Sequence, residues 1–173
     1  RRVDLIQEGF DLAIRIARLD DSSLIARRLA PVRHGVYASP AYLAAHAAPS
    51  RAGELAGHAC LVYSDSSEPG LWNYVGPDGT PGSIRVPARV TASSGDFLLR
   101  AALDGLGVIL LPTFYVAEAL RQGALVPVLA DHAWPELSVY AVYPPTRHLS
   151  GRVRGFIDFL AERLAGEPYW DRA

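Results

Sequence analysis

The stretch from Ser93 to Leu111 constrains this chain more than any other. It runs Ser93-Ser94-Gly95-Asp96, then Phe97-Leu98-Leu99-Arg100-Ala101-Ala102-Leu103, then Gly105-Leu106-Gly107, then Val108-Ile109-Leu110-Leu111. A hydroxyl ahead of an apolar-periodic run starts a helix, and glycines past its end stop it. The strand that follows carries no polar side chain from Val108 to Leu111. Such a strand needs cover on both faces, as parallel strands in layered α/β proteins have. Gly105-x-Gly107 is therefore a tight helix-to-strand turn. A dinucleotide loop has the opposite order, strand before helix, and Leu110 stands where its third glycine would be.

The same alternation fills the rest of the chain. Val3, Leu5 and Ile6 read as the end of a helix stopped by Gly9, and residues 11–17 as a strand. Residues 24–29 and 35–38 are two more strands, with Pro31 between them. Ser39 caps a short helix over 41–46, with Pro40 at its first position. Residues 47–59 are small, polar and broken by Pro49, Gly53 and Gly57. Residues 60–63, 72–75 and 84–91 read as strands, the last two separated by a turn over 76–82. Pro112-Thr113 opens a helix through Arg121, stopped by Gly123. Strands over 125–129 and 139–143 follow, and a helix over 152–164, capped by Ser150, closes the chain. Its apolar face predicts near-complete burial of Phe156 and Leu160.

Composition removes several classes of function. A chain of 173 residues buries roughly 68–70% of its unfolded surface without staples. At 50% hydrophobic and 20% charged residues it is globular, not disordered. A net charge of -1 makes the chain a poor DNA binder by itself, because phosphate contact needs a basic face. The single cysteine, Cys60, excludes an intrachain disulfide and a cysteine-based metal cluster. No apolar run reaches the roughly 18–20 residues of a membrane helix, and no signal-peptide pattern is present. The chain contains no Met, and all 17 of its basic residues are Arg. It reads as a fragment or processed chain from a GC-rich genome.

Catalytic chemistry finds little support. There is no G-x-S-x-G elbow, and a phosphate loop is impossible without Lys. His34, His46, His58, His132 and His148 form no i, i+4 pair. His58-Ala59-Cys60 reads as a surface histidine beside a buried cysteine, without a second pair to complete a metal site. Asp20-Asp21 and Arg27-Arg28 read as solvated charge. Ser93-Ser94-Gly95 is ambiguous. Hydroxyls and free amides at a positive helix end suit an anion or carboxylate, yet they also cap the helix with no ligand present. Ser39-Pro40 carries the same ambiguity.

The string also resembles a known family. Residues 2–16 (RVDLIQEGFDLAIRI) and 21–30 (DSSLIARRLA), then Ala38-Ser39-Pro40-Ala41-Tyr42-Leu43, resemble the LysR-type transcriptional regulators. So do residues 101–108, Leu111-Pro112-Thr113-Phe114, and the closing pattern from Tyr143-Pro144 to Leu160. The motifs are weak singly; their order along nearly the whole chain makes the match specific.

The resemblance implies a two-lobed α/β fold of the type 2 periplasmic-binding-protein kind, with mainly parallel sheets and a first lobe incomplete at the N-terminus. Residues 1–37 and 140–173 would form that lobe, and residues 38–138 the second. The DNA-binding winged helix-turn-helix would lie outside this chain. The implied function is effector sensing and oligomerisation in a cytoplasmic regulator, with no catalytic residues, cofactor, metal or membrane contact. A solute-binding protein of a transport system is the alternative. A small-molecule effector is expected near Ala17, Arg18, Ser39, Pro40, Ser93, Ser94, Gly95 and Pro112. Self-association is expected through Phe97, Arg100, Ala101, Phe114 and Glu118, and DNA is reached only through the absent domain.

Overall fold

The computed structural model describes residues 7, 9–17, 25–144 and 149–171. The expected helix over Val3 to Ile6 therefore lies outside the described residues, as do Arg18, Asp20-Asp21 and His148. The elements run β1 (Ala13–Ala17), β2 (Ile25–Val32), β3 (His34–Ala38) and α1 (Pro40–Ala45), then a 3₁₀ turn (Ala52–Gly57) and β4 (Cys60–Tyr63). Next come β5 (Leu71–Val75), β6 (Pro81–Arg85), β7 (Ala88–Ala92), α2 (Gly95–Leu103) and β8 (Val108–Pro112). The chain ends with α3 (Thr113–Arg121), β9 (Val126–Val128), β10 (Leu137–Tyr143) and α4 (Gly151–Arg163).

These elements form two compact units. The first takes the described residues up to Val32 and those from Glu136 onward; the second is Arg33–Pro135. The division falls after Val32 rather than after Tyr37, because β3 pairs with β8 and β9 and so belongs to the second unit.

In the second unit the strand order is β7-β4-β8-β3-β9. β8 lies at the centre, and its side chains alternate between two buried clusters. Val108 joins Val36, Cys60 and Val62 on one face, and Ile109 and Leu111 join Tyr37, Leu61 and Leu98 on the other. Tyr42 of α1, Leu55 of the 3₁₀ turn and Trp72 of β5 cover the first face. Leu98 and Ala102 of α2, with Val116 and Ala119 of α3, cover the second. Cover on both sides is the physical reason β8 carries no polar side chain.

The sheets are mixed rather than mainly parallel. β4 runs parallel to β7 and β8, but β3 runs antiparallel to β8 and β9. The hairpin of β5 and β6 is antiparallel, as is the first unit's sheet, ordered β1-β10-β2. Apolar content reports burial on two faces and not strand direction, so composition could not separate these arrangements.

The predicted strand over 84–91 is two strands. Val86 leaves the hairpin by donating to Gly70 O, and Pro87 O then accepts from Cys60 N at 3.2 Å, which starts the pairing of β7 with β4. Pro31 sits inside β2, which is tolerable on the edge strand of the described sheet. In the first unit α4 packs against β2 and shares the unit with β1, the grouping that the family resemblance implies. The buried residue is Ile157, however; Phe156 is 48% exposed and Leu160 only half-buried.

Candidate functional site

The parallel strands β7, β4 and β8 end on one edge of the second unit's sheet. Tyr63 stands opposite Ala92 in the register, and Leu61 opposite Ile109. Two helices start from that edge. Ser93-Ser94 follows β7, and the Ser94 hydroxyl accepts the Phe97 N–H at 3.2 Å to cap α2. Pro112 closes β8 and precedes Thr113, whose N–H donates to Arg33 O at 2.9 Å. Ser64 is brought beside Ser93, because its N–H donates to Ala92 O at 3.0 Å.

Gly95 opens α2 for a steric reason. A methyl group there would meet the Tyr115 ring at 2.5 Å, so the glycine lets α3 lie close to the start of α2. Burial, and after it the charge of Asp96 and the neighbouring Tyr63, pushes the Tyr115 phenol above its ordinary pKa. It stays protonated and able to donate. The Thr113 hydroxyl is buried and has no hydrogen-bond partner among the described residues. The edge therefore offers Ser64, Ser93, Thr113 and Tyr115 hydroxyls and two positive helix starts, offset by the Asp96 carboxylate in the first turn of α2. Such a set is chemically able to hydrogen-bond a small polar molecule.

Ser39 and Pro40 do not join this group. Because β3 is antiparallel to β8, with His34 opposite Pro112 and Tyr37 opposite Ile109, α1 starts at the other edge of the sheet. Ser39 is 2% exposed, and its hydroxyl accepts the Tyr42 N–H at 3.2 Å. It lies by the far end of α2, 3.6 Å from where a Cβ on Gly105 would be. The expectation of one site shared by Ser39 and Ser94 rested on parallel strands and fails with them. Ala17, at the end of β1, pairs with Ser138 in the first unit.

The residues expected to self-associate divide similarly. Phe97 is 56% exposed, and the exposed Arg100 is paired with Asp104 at 3.2 Å. Ala101 is buried in the unit's own core and presents nothing outward. The half-buried Phe114 lies against Tyr115, with ring centroids 4.7 Å apart, and the exposed Glu118 pairs with Arg121.

His58 and Cys60 belong to the scaffold. The Tyr42 hydroxyl accepts the Ala59 N–H at 3.1 Å and is hydrogen-bonded to His58 Nδ1, also at 3.1 Å, with the direction of the second bond following the histidine tautomer. Burial, and then the neighbouring His46, lowers the His58 pKa; burial pushes the Cys60 thiol up to about 12. Among the described residues no group of three or more His, Cys, Asp or Glu is placed to hold a metal ion. The sequence reading missed Tyr42 and Thr113, since a phenol in an apolar helix and a threonine after a proline carry no pattern of their own.

Comparison with known proteins gives a consistent picture. A family model described as the LysR substrate binding domain matches residues 1–165. The HTH-type transcriptional regulator CrgA of Neisseria meningitidis is 38% identical over 163 residues, covering 94% of this chain and 54% of that protein. The regulator DmlR of Escherichia coli is 36% identical over 166 residues, covering 95% and 53%. The chain thus spans about half the length of these curated relatives. Among solved structures, the CrgA regulatory domain superposes with a TM-score of 0.79 at 38% identity, covering 92% of this chain and 78% of that one. Full-length AphB of Vibrio cholerae gives 0.82 at 31% identity, covering 95% and 55%.

Proposed function

The chain belongs to the LysR substrate-binding domain family, and from that membership we propose that it is the small-molecule-sensing part of a transcriptional regulator. The effector binds at the helix-start edge of the second unit, through Ser93, Ser94, Gly95 and the turn at Pro112-Thr113. The observation that carries this assignment is the buried Thr113 hydroxyl without a partner, beside the start of α3. Buried hydroxyls are normally satisfied, and a ligand acceptor at this place would satisfy it.

The sensing mechanism is a population shift. An effector that favours one arrangement of the intact protein displaces the equilibrium by its differential affinity, and one without preference displaces nothing. DNA contact belongs to a helix-turn-helix region of the kind named in the relatives' descriptions, and self-association to α2 and α3. This reading assigns no catalytic role to the chain.

A screen of small hydroxy- and keto-carboxylates by thermal shift on the intact regulator tests the reading. A true effector raises the Tm and changes operator affinity, typically by about 5–150-fold. Thr113→Val weakens that effector by about 1–2 kcal/mol, while Arg51→Gln, at the exposed start of the 3₁₀ turn, leaves it unchanged. Undiminished binding by Thr113→Val and Ser94→Ala would remove the site assignment. A bound ligand without effect on operator affinity would remove the sensing role.

A further inference from the structure

The hairpin of β5 and β6 stands apart from the five-stranded sheet of the second unit, as a two-stranded sheet of its own. Two strands alone are marginal in water and need further pairing or packing. Trp72 supplies the packing, buried in the cluster that holds Tyr42 and Leu55. The pairing comes from the link that follows β9. Val75 N–H donates to Ala133 O at 2.8 Å, and Ala133 N–H donates back to Val75 O at 2.9 Å, an antiparallel bridge. Aromatic rings fasten the same link. Trp134 meets Trp72 edge-on, with ring centroids 6.4 Å apart, and Tyr74 at 5.9 Å. Tyr74 also meets His132 at 5.6 Å, and Gly82 across the hairpin makes room for it, since a Cβ there would lie 2.5 Å from the tyrosine ring. His132 Nδ1 in turn lies 2.7 Å from the Asp131 carboxylate.

The link begins in strain. Leu129 has a φ of 54°, a left-handed conformation that a bulky side chain keeps only where its surroundings hold it. It is buried in the same cluster as Trp72, and its carbonyl accepts the His132 N–H at 3.1 Å. We propose that hairpin and link form a clasp, one cooperative element that opens by releasing Ala133 and Trp134 together while the five-stranded sheet stays folded. Two hydrogen bonds and a half-buried indole hold it shut, against the strain at Leu129. Pro135 is the last residue of the second unit, and Leu137 begins β10, the middle strand of the first unit's described sheet. The closed clasp holds the connecting chain as far as Trp134, and the open clasp frees it from Ala130 onward. The clasp thus sets how stiffly the second unit is tied to β10. It uses no residue of the helix-start edge, so it stands or falls apart from the effector assignment.

Hydrogen exchange on the intact protein, resolved to single amides in rising sub-denaturing urea, tests the proposal. The Val75 and Ala133 amides should share one opening with a shallower urea dependence than the Val108 amide, which is bonded to Ala59 O at the centre of the sheet. Trp134→Ala should speed Val75 and Ala133 together by at least about ten-fold and leave Val108 within about two-fold. Trp134→Phe, which keeps a ring, should restore most of the protection. The urea slopes of the unaltered protein need no variant, so they decide the matter even where Trp134→Ala fails to fold. Equal slopes for all three amides would overturn the proposal, because the link would then open only with the whole unit. So would Val75 and Ala133 responding separately, or exchange that Trp134→Ala leaves unchanged.

Discussion

A methyl group on Gly107 would lie 2.2 Å from the Ala59 carbonyl oxygen, closer than real side chains approach a backbone. That oxygen also accepts the Val108 N–H at 2.8 Å, so it cannot move aside without loosening β8 from the lead-in to β4. Gly107→Ala should therefore cost about 1–3 kcal/mol in urea unfolding, whereas Gly53→Ala, which meets nothing within 4 Å, should stay within about 0.5. The close approach was legible as a turn in Gly105-x-Gly107, but the partner at Ala59 was not, because it comes from a distant segment. His58 supplies a pH-dependent case. Its folded pKa is lowered, first by burial, so the unfolded state binds more protons just below the ordinary histidine value. Stability should fall as pH drops from about 6.5 toward the folded pKa. His58→Gln should flatten that part of the stability profile measured by urea midpoints; an unchanged slope would show that His58 does not govern it.

Helix α4 shows what an element's periodicity can and cannot say. The cap at Ser150 and the apolar spacing located the helix to within a residue or so, and the Ser94 cap of α2 was equally plain. Which apolar residue points inward was not plain, since Phe156 and Ile157 are neighbours in sequence and only Ile157 is buried where α4 packs against β2. The consequence is measurable. Ile157→Ala should destabilise by about 2–5 kcal/mol, and Phe156→Ala, at 48% exposure, by about 0.5. Equal losses in chemical denaturation would put Phe156 in the core instead. The 3₁₀ turn at Ala52–Gly57 escaped the sequence altogether. Glycines and alanine give it no periodicity, and it is held by Leu55 in the core and by the Glu54 carboxylate accepting the Ser50 N–H at 2.8 Å.

For the molecule as a whole, α2 and α3 cover one sheet face inwardly and still present Phe97 outward. In the intact protein Phe97→Asp should weaken self-association at least ten-fold in sedimentation at low micromolar concentration, because a specific pair buries about 1,200 Å² or more around such anchors. An unaltered dimer would move the interface off α2. The order of motifs from Arg2 to Leu160 alone determined the family, the α/β class and most of the elements, since each rests on local signals: caps, stop glycines and runs of apolar residues. Strand direction was decided only by tertiary structure. Val36 and Val108 look alike in sequence, yet β3 runs against β8, and that reversal carries Ser39 to the opposite edge from Ser94. A helix cap reads the same whether it lines a ligand site or closes a core. Which it does depends on the edge it faces, and the edge is set by pairings between segments far apart in the chain.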